Sequence, residues 1–126
     1  MEELNLRNYA HIGDAVYEVY VRERIIYLTS NSNKLHRYTV KFVNAQFQTD
    51  LLNAIMPHLS DEEIDLARRA RNIPTSSVRR ISQSLHRHAT SLEVVLGYNY
   101  IHYKDRYNEL LKIIDSLIDF EEEIKK

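Results

Sequence analysis

Only two glycines occur in the sequence, Gly13 and Gly97, and each lies inside a long run of residues with helical apolar spacing. A glycine inside a helix costs about 1 kcal/mol relative to alanine, so it usually has a packing reason. The simplest reason is that a second backbone passes very close. We therefore expect the two helices that carry Gly13 and Gly97 to cross at their glycines.

The glycine and proline content also predicts the fold class, which is all-α. Two glycines and two prolines in 126 residues supply too few tight turns for a β fold. An apolar content of 44% suits one domain, residues 1–126, with a single core. No apolar run approaches the roughly 20 residues of a membrane span. Without a signal-peptide pattern or any cysteine, the chain is expected in the cytoplasm, or in the plastid stroma if its source is a plant or alga.

Apolar spacing and capping residues predict six helices. Ser60 and Glu63 have the spacing of a capping box, and Pro57 ends the helix before it. The segment 73–84 is the one long loop expected. The predicted helices span about 5–28, 34–43, 45–56, 60–72, 85–103 and 105–125.

Each glycine-bearing helix also carries an isolated acid. Asp14 follows Gly13 within an apolar run, and Glu93 is the only Asp, Glu, Lys or Arg between residues 88 and 103. If the helices cross at their glycines, these two carboxyl groups approach each other. Paired carboxylates in a poorly solvated place need a proton or a cation between them. Mg²⁺ prefers oxygen ligands and often takes only one or two protein carboxylates, so the pair predicts a metal site.

Plainer readings of the same acids stay open. Asp14 and Glu18 fit the solvent face of an amphipathic helix, with Glu18 and Arg22 as an i,i+4 ion pair. Glu93 also fits a buried acid that an arginine satisfies. Other catalytic patterns are missing from the sequence: Glu-x-x-His pairs, His-Glu-x-x-His, a nucleophile elbow, a P-loop and a dinucleotide fingerprint.

Positive charge is concentrated in one segment, although the net charge is −1. Between Leu66 and Leu92 there are six arginines and no acid. A concentrated basic segment can bind a polyanion even in a near-neutral protein, because the local field decides, and the alternative is a solvated arginine-rich face. The arginines are Arg68, Arg69, Arg71, Arg79, Arg80 and Arg87.

Four stretches, in order, resemble the catalytic domain of ribonuclease III and most closely the Mini-ribonuclease III family. The stretch "IGDAVYEVYVRE" (12–23) is similar to the family's signature helix. The later stretches are "LHRYTVKFVNAQFQTDLL" (35–52), "DEEIDLARRARN" (61–72) and "HRHATSLEVVLGYNYI" (86–101). Together they cover roughly residues 9 to 103.

The resemblance implies a helical bundle that acts as a homodimer on double-stranded RNA, in the maturation of large-subunit (23S) ribosomal RNA. It implies Mg²⁺, with Mn²⁺ as a substitute, and it places Asp14 and Glu93 as the catalytic and metal-binding acids, with Glu18 assisting through a water. RNA contacts would come from Asn72 and the six arginines. Full-length ribonucleases III carry further acids at the positions of Ala10 and Thr90. Mini-ribonucleases III lack these two acids, as this chain does.

Two other functions are compatible with the sequence. One is a catalytically silent ribonuclease III-like module that binds RNA or the ribosome, and the other is a helical protein–protein adaptor.

The first helix is apolar around nearly its whole circumference. This is more apolar surface than the single core of a chain of this size needs. We therefore predict that it forms a dimer interface, in which Val16 and Tyr20 lie.

Overall fold

The computed structural model describes residues 3–73 and 80–126, with side chains from residue 84 onward in the second stretch. These residues form helices and no strands, which confirms the all-α prediction. The helices are α1 (Leu6–Ile25), α2 (Ser32–Val43), α3 (Ala45–Ile55), α4 (Asp61–Arg71), α5 (Arg80–His102), α6 (Lys104–Leu117) and the single turn α7 (Phe120–Glu123), with a 3₁₀ turn at Met56–His58.

Polar side chains begin the first four helices. Asn5, Asn31 and Asn44 each precede a helix and accept a hydrogen bond from a backbone N–H of its first turn. Before α4, the Ser60 hydroxyl accepts from the Glu63 N–H, and the Glu63 carboxylate accepts from the Ser60 N–H. The predicted capping box is therefore confirmed.

Helix α5 lies at the centre of the bundle and packs against α1, α3, α4 and α6. Its middle is shielded on most sides, because Leu92, Val94, Val95 and Leu96 are fully buried. This position explains why the sequence allows so few charges there. None of the described helices is both long enough and apolar enough to span a membrane.

The predicted helix boundaries differ most from the structure in the second half of the chain, while α1 ends at Ile25 rather than near residue 28. Helix α5 begins at Arg80 rather than near residue 85, and residues 74–79 of the predicted loop lie outside the described part. The single helix expected over 105–125 is broken, because the backbone is extended at Ile118. Asp119 then caps α7 by accepting from the Glu122 N–H.

The break before α7 has a packing reason. It brings the ring of Phe120 to 4.6 Å from the ring of Phe42 and 6.0 Å from that of Tyr20. An uninterrupted helix would follow its own axis past this contact. Phe120 is half-buried there, and aromatic pairs of this kind contribute about 0.5–1.5 kcal/mol beyond the area that they bury.

Candidate metal centre

The two glycines lie where α1 and α5 cross. A Cβ atom on Gly97 would be 2.0 Å from the carbonyl oxygen of Tyr9, and one on Gly13 would be 1.8 Å from that of Glu93. Real Cβ atoms essentially never approach within 3.0 Å. The backbones therefore touch at both glycines, and the predicted crossing is confirmed.

The crossing brings the carboxyl groups of Asp14 and Glu93 into hydrogen-bonding contact. Asp14 is exposed, whereas Glu93 is half-buried. Burial, together with the hydrogen bond and the negative charge of Asp14, raises the pKa of Glu93 to about 8. At neutral pH the pair therefore favours a shared proton or a bound cation over two bare carboxylates.

The neighbouring polar groups are occupied elsewhere. Glu18 forms an ion pair with Arg22 at 3.1 Å, as the plainer reading of that acid predicted. The Thr90 hydroxyl donates to the carbonyl oxygen of His86 at 2.7 Å. Within residues 3–73 and 80–126, no group of three or more acids, histidines or cysteines has the geometry of a metal site. Asp14 and Glu93 are the acids that the structure pairs.

The arginine-rich segment is less uniformly available than its sequence indicates. Arg68 and Arg69 both donate to the carboxylate of Asp65, and Arg69 also donates to Glu3 at 3.0 Å. Asp65 lies just before the acid-free segment, which begins at Leu66, so the charge count over that segment did not include this acid. Hydrogen bonds from Arg68 and then Arg69 hold the pKa of Asp65 below its usual range.

The other predicted RNA-binding residues have different surroundings. Asn72 is exposed and ends α4, and Arg71 is half-buried beside it. Arg87 is half-buried, and its Nε atom has no hydrogen-bond partner among the described residues. Arg79 lies outside the described residues, and only the backbone of Arg80 is described.

The predicted interface residues on α1 divide between the core and the surface. Tyr20 is buried in the protein's own core, and its hydroxyl donates to Asp115, so its assignment to a dimer interface was wrong. Val16 is half-buried. Facing outward on the same helix are Ala15 and Val19, and Ile26, which caps its C-terminus, is exposed as well. Periodicity alone could not separate these two apolar faces.

The sequence interpretation also missed Tyr17, which follows Asp14 by three residues and is 1% exposed. Its hydroxyl donates to the carbonyl oxygen of Phe42 at 2.6 Å. One signal for it was present: Tyr17 lies four residues after Gly13, on the same face of α1.

Known proteins share both the fold and much of the sequence. The profile described as "Ribonuclease III domain" matches residues 7–104, most of the chain. A Mini-ribonuclease 3 from Synechocystis is 39% identical over 106 residues, which cover 84% of this chain and 74% of that protein. The chain belongs to the Mini-ribonuclease III family.

Other relatives agree with this membership. A Mini-ribonuclease 3 from Clostridium tetani is 36% identical over 123 residues, covering 94% of this chain and 82% of that protein. The crystal structure of a Fusobacterium nucleatum protein superposes with a TM-score of 0.80 at 28% identity, over 92% of this chain and 93% of that one. As a member of this family, the chain is an endoribonuclease, an enzyme that hydrolyses RNA.

Proposed function

We propose that this chain, as a homodimer, is a Mg²⁺-dependent endoribonuclease that cuts double-stranded RNA, with Asp14 and Glu93 as the metal-binding acids. The observation that carries the proposal is the contact between these two carboxyl groups at the helix crossing. Because the chain belongs to a family of ribonucleases, we assign to the paired acids the role of holding a metal ion for RNA hydrolysis. Mn²⁺ would substitute for Mg²⁺, because it accepts the same oxygen ligands.

The paired acids fit a hard divalent ion. Both donors are carboxylate oxygens, and the raised pKa of Glu93 marks a place where negative charge is poorly compensated. The exposure of Asp14 leaves the pair open to water and to a phosphate. Mg²⁺ usually keeps several waters and takes few protein ligands, so two acids are sufficient.

Each acid contributes differently to the reaction. When bound, Mg²⁺ would activate a water for attack on phosphorus and stabilise the departing 3′-oxygen. Asp14, on the exposed side, would hold the ion where a phosphate can reach it. Glu93 is held from behind by the crossing, since its own backbone lies against Gly13. The position of its backbone is therefore set by packing.

The RNA would be held by its backbone rather than by its bases. Duplex RNA presents phosphates and 2′-hydroxyls across a wide minor groove, and proteins recognise it mainly by shape. Among the described residues, Arg71 and Arg87 of the basic segment form no salt bridge, unlike Arg68 and Arg69. To bind a phosphate, Arg68 and Arg69 would have to release the carboxylate of Asp65.

The outward apolar face of α1 supports a dimer. Val19 is 54% exposed and Ile26 is 55% exposed, and Ala15 continues the same face. Apolar side chains along one exposed helix suit burial against a second copy. Because Asp14 lies on this helix, a dimer would bring two carboxyl pairs to one duplex.

The natural substrate that the family resemblance implies is a precursor of large-subunit (23S) ribosomal RNA, cut in the cytoplasm by a single-domain chain. The test is cleavage of a duplex RNA with Mg²⁺ and with EDTA. Cleavage that EDTA abolishes supports the proposal. RNA binding without cleavage would instead indicate a catalytically silent module. The absence of both binding and cleavage would indicate a helical adaptor.

A further inference from the structure

We propose that Tyr17 is a positioning residue for the carboxyl pair. Its buried ring keeps the Glu93 carboxyl against Asp14, and its hydroxyl fixes the ring by donating to Phe42. This inference rests on the proposed function, because it concerns how tightly the pair binds a divalent ion.

The register of the helix crossing places Tyr17 beside Glu93. Moving four residues along α1, from Tyr9 to Gly13, matches four residues back along α5, from Gly97 to Glu93. One further turn along α1 reaches Tyr17, which is 1% exposed. Its side chain therefore lies on the α5 side of α1, next to the turn before Glu93.

The electrostatics of the two residues agree with this placement. Burial raises the pKa of Tyr17, and the negative charge of Glu93 raises it further. A ring in this position excludes water from the inner side of the Glu93 carboxyl. Glu93 is half-buried, and its carboxyl hydrogen-bonds with that of Asp14 on the exposed side.

The hydroxyl of Tyr17 ties this ring to a corner of the fold. Phe42 belongs to the last turn of α2, where carbonyl oxygens lack partners within the helix. The neighbouring carbonyl of Val43 accepts from the Gln48 side chain, and that of Val40 accepts from Asn44. Tyr17 supplies the donor for Phe42, at 2.6 Å. The ring is thus held at its far end and is not free to move away from the carboxyl pair.

Tyr17→Phe tests the role, and the same helix offers a matched control in Tyr20→Phe. Tyr20 is also 1% exposed and also donates one hydrogen bond of 2.6 Å, to Asp115. Both substitutions remove one buried hydroxyl and keep the ring, so we expect similar falls in melting temperature. Only the first removes a group that holds the ring beside Glu93.

The readout is Mn²⁺ binding to the protein alone, measured by calorimetry at a temperature where circular dichroism shows every variant folded. We expect Tyr17→Phe to weaken binding about tenfold, at the lower end of the effects of residues that orient metal ligands, and Tyr20→Phe to change it less than about twofold. In cleavage assays, Tyr17→Phe should lower kcat at limiting Mg²⁺, with recovery at high Mg²⁺. The KM for RNA should be unchanged, because a buried side chain does not touch the substrate.

Asp14→Asn separates failure of this inference from failure of the proposed function. If Asp14→Asn binds Mn²⁺ as tightly as the natural sequence, the carboxyl pair is not the metal site and both proposals are overturned. If Asp14→Asn loses binding but Tyr17→Phe stays within about twofold, only the positioning role is wrong. An equal loss in Tyr20→Phe would likewise overturn it, because the effect would then be general loosening of α1.

Discussion

Gly13 lies against the backbone of Glu93, so closely that an added Cβ would be 1.8 Å from the carbonyl oxygen and 2.5 Å from the carbonyl carbon. Glycine to alanine in a free helix stabilises by about 1 kcal/mol. Here we expect the opposite sign, because neither backbone can move without separating α1 from α5. Gly13→Ala should lower the free energy of unfolding by about 3 kcal/mol or more in chemical denaturation.

The control for this prediction is Ala54→Gly, at an exposed position of α3 and away from the apolar face of α1. It should cost only the propensity difference of about 1 kcal/mol. A Gly13→Ala protein as stable as the natural sequence would show that the two backbones are not in contact.

Asp14→Asn and Glu93→Gln should each reduce duplex cleavage by about a thousandfold, since a lost metal site removes several kcal/mol of transition-state stabilisation. Each amide keeps the shape of its acid, so the fold should remain. Mg²⁺ should raise the melting temperature of the natural sequence but not of either variant. Glu23→Gln, an exposed acid on the same helix, is the control and should cleave normally. Near-normal cleavage by either amide variant would contradict the assignment.

The buried acid Glu63 gives a pH prediction. Burial raises its pKa, but hydrogen bonds from Arg106, the Ser60 backbone and Asn99 lower it by more, so the net pKa is below the usual value. An acid with a lowered pKa in the folded state stabilises the protein above its unfolded pKa, near 4.5, and loses that contribution as pH falls through the folded pKa. We expect Arg106→Ala to cost about 3 kcal/mol at pH 7, because it leaves a buried charge unpaired.

The same arginine provides the control for this pair. Arg106 also pairs with Glu109, whose side chain is 63% exposed, whereas that of Glu63 is 4% exposed. Glu109→Gln should therefore cost less than about 1 kcal/mol. Denaturation curves from pH 7 to pH 3 should show the gap between Arg106→Ala and the natural sequence shrinking in acid. A gap independent of pH would show that Glu63 is not the partner that matters.

Substituting Arg69, Arg71, Arg79 and Arg80 together by glutamine should weaken binding to unrelated duplexes alike. Fewer displaced counterions should also flatten the dependence of log affinity on log salt. Asp65→Asn should act in the opposite direction, because it releases Arg68 and Arg69 for phosphate. Fluorescence anisotropy at several salt concentrations measures both. If the natural sequence, the fourfold variant and Asp65→Asn all show the same slope of log affinity against log salt, the arginine-rich segment is a solvated face that does not bind RNA.

The dimer predicts a mass of twice the 15.0 kDa chain in light scattering. Val19→Asp should reduce this mass to that of the monomer, because a two-fold axis would bring the new charge near its own copy. Ile64, 39% exposed on α4, is the matched control, and Ile64→Asp should remain dimeric. A monomeric natural protein that still cleaves duplex RNA would rule out the dimer.

Sequence alone determined the features that depend on neighbours along the chain. The capping box at Ser60 needs only residues three apart, and the all-α class follows from helical spacing with few turn residues. The crossing of α1 and α5 is a long-range contact, yet it was also predictable. A glycine is so unfavourable inside a helix that its presence marks a close approach.

Tertiary structure decided which surface each helical face meets, and the sequence did not contain this in a local form. Tyr20 and Val19 are adjacent apolar residues, but one is buried by α6 and α7 while the other faces outward. The pairing of Arg69 with Glu3 joins residues 66 positions apart, and Tyr17 meets Phe42 across 25. Such contacts depend on how whole helices pack, because the energy of burying a face is shared over many residues and is not encoded at any one of them.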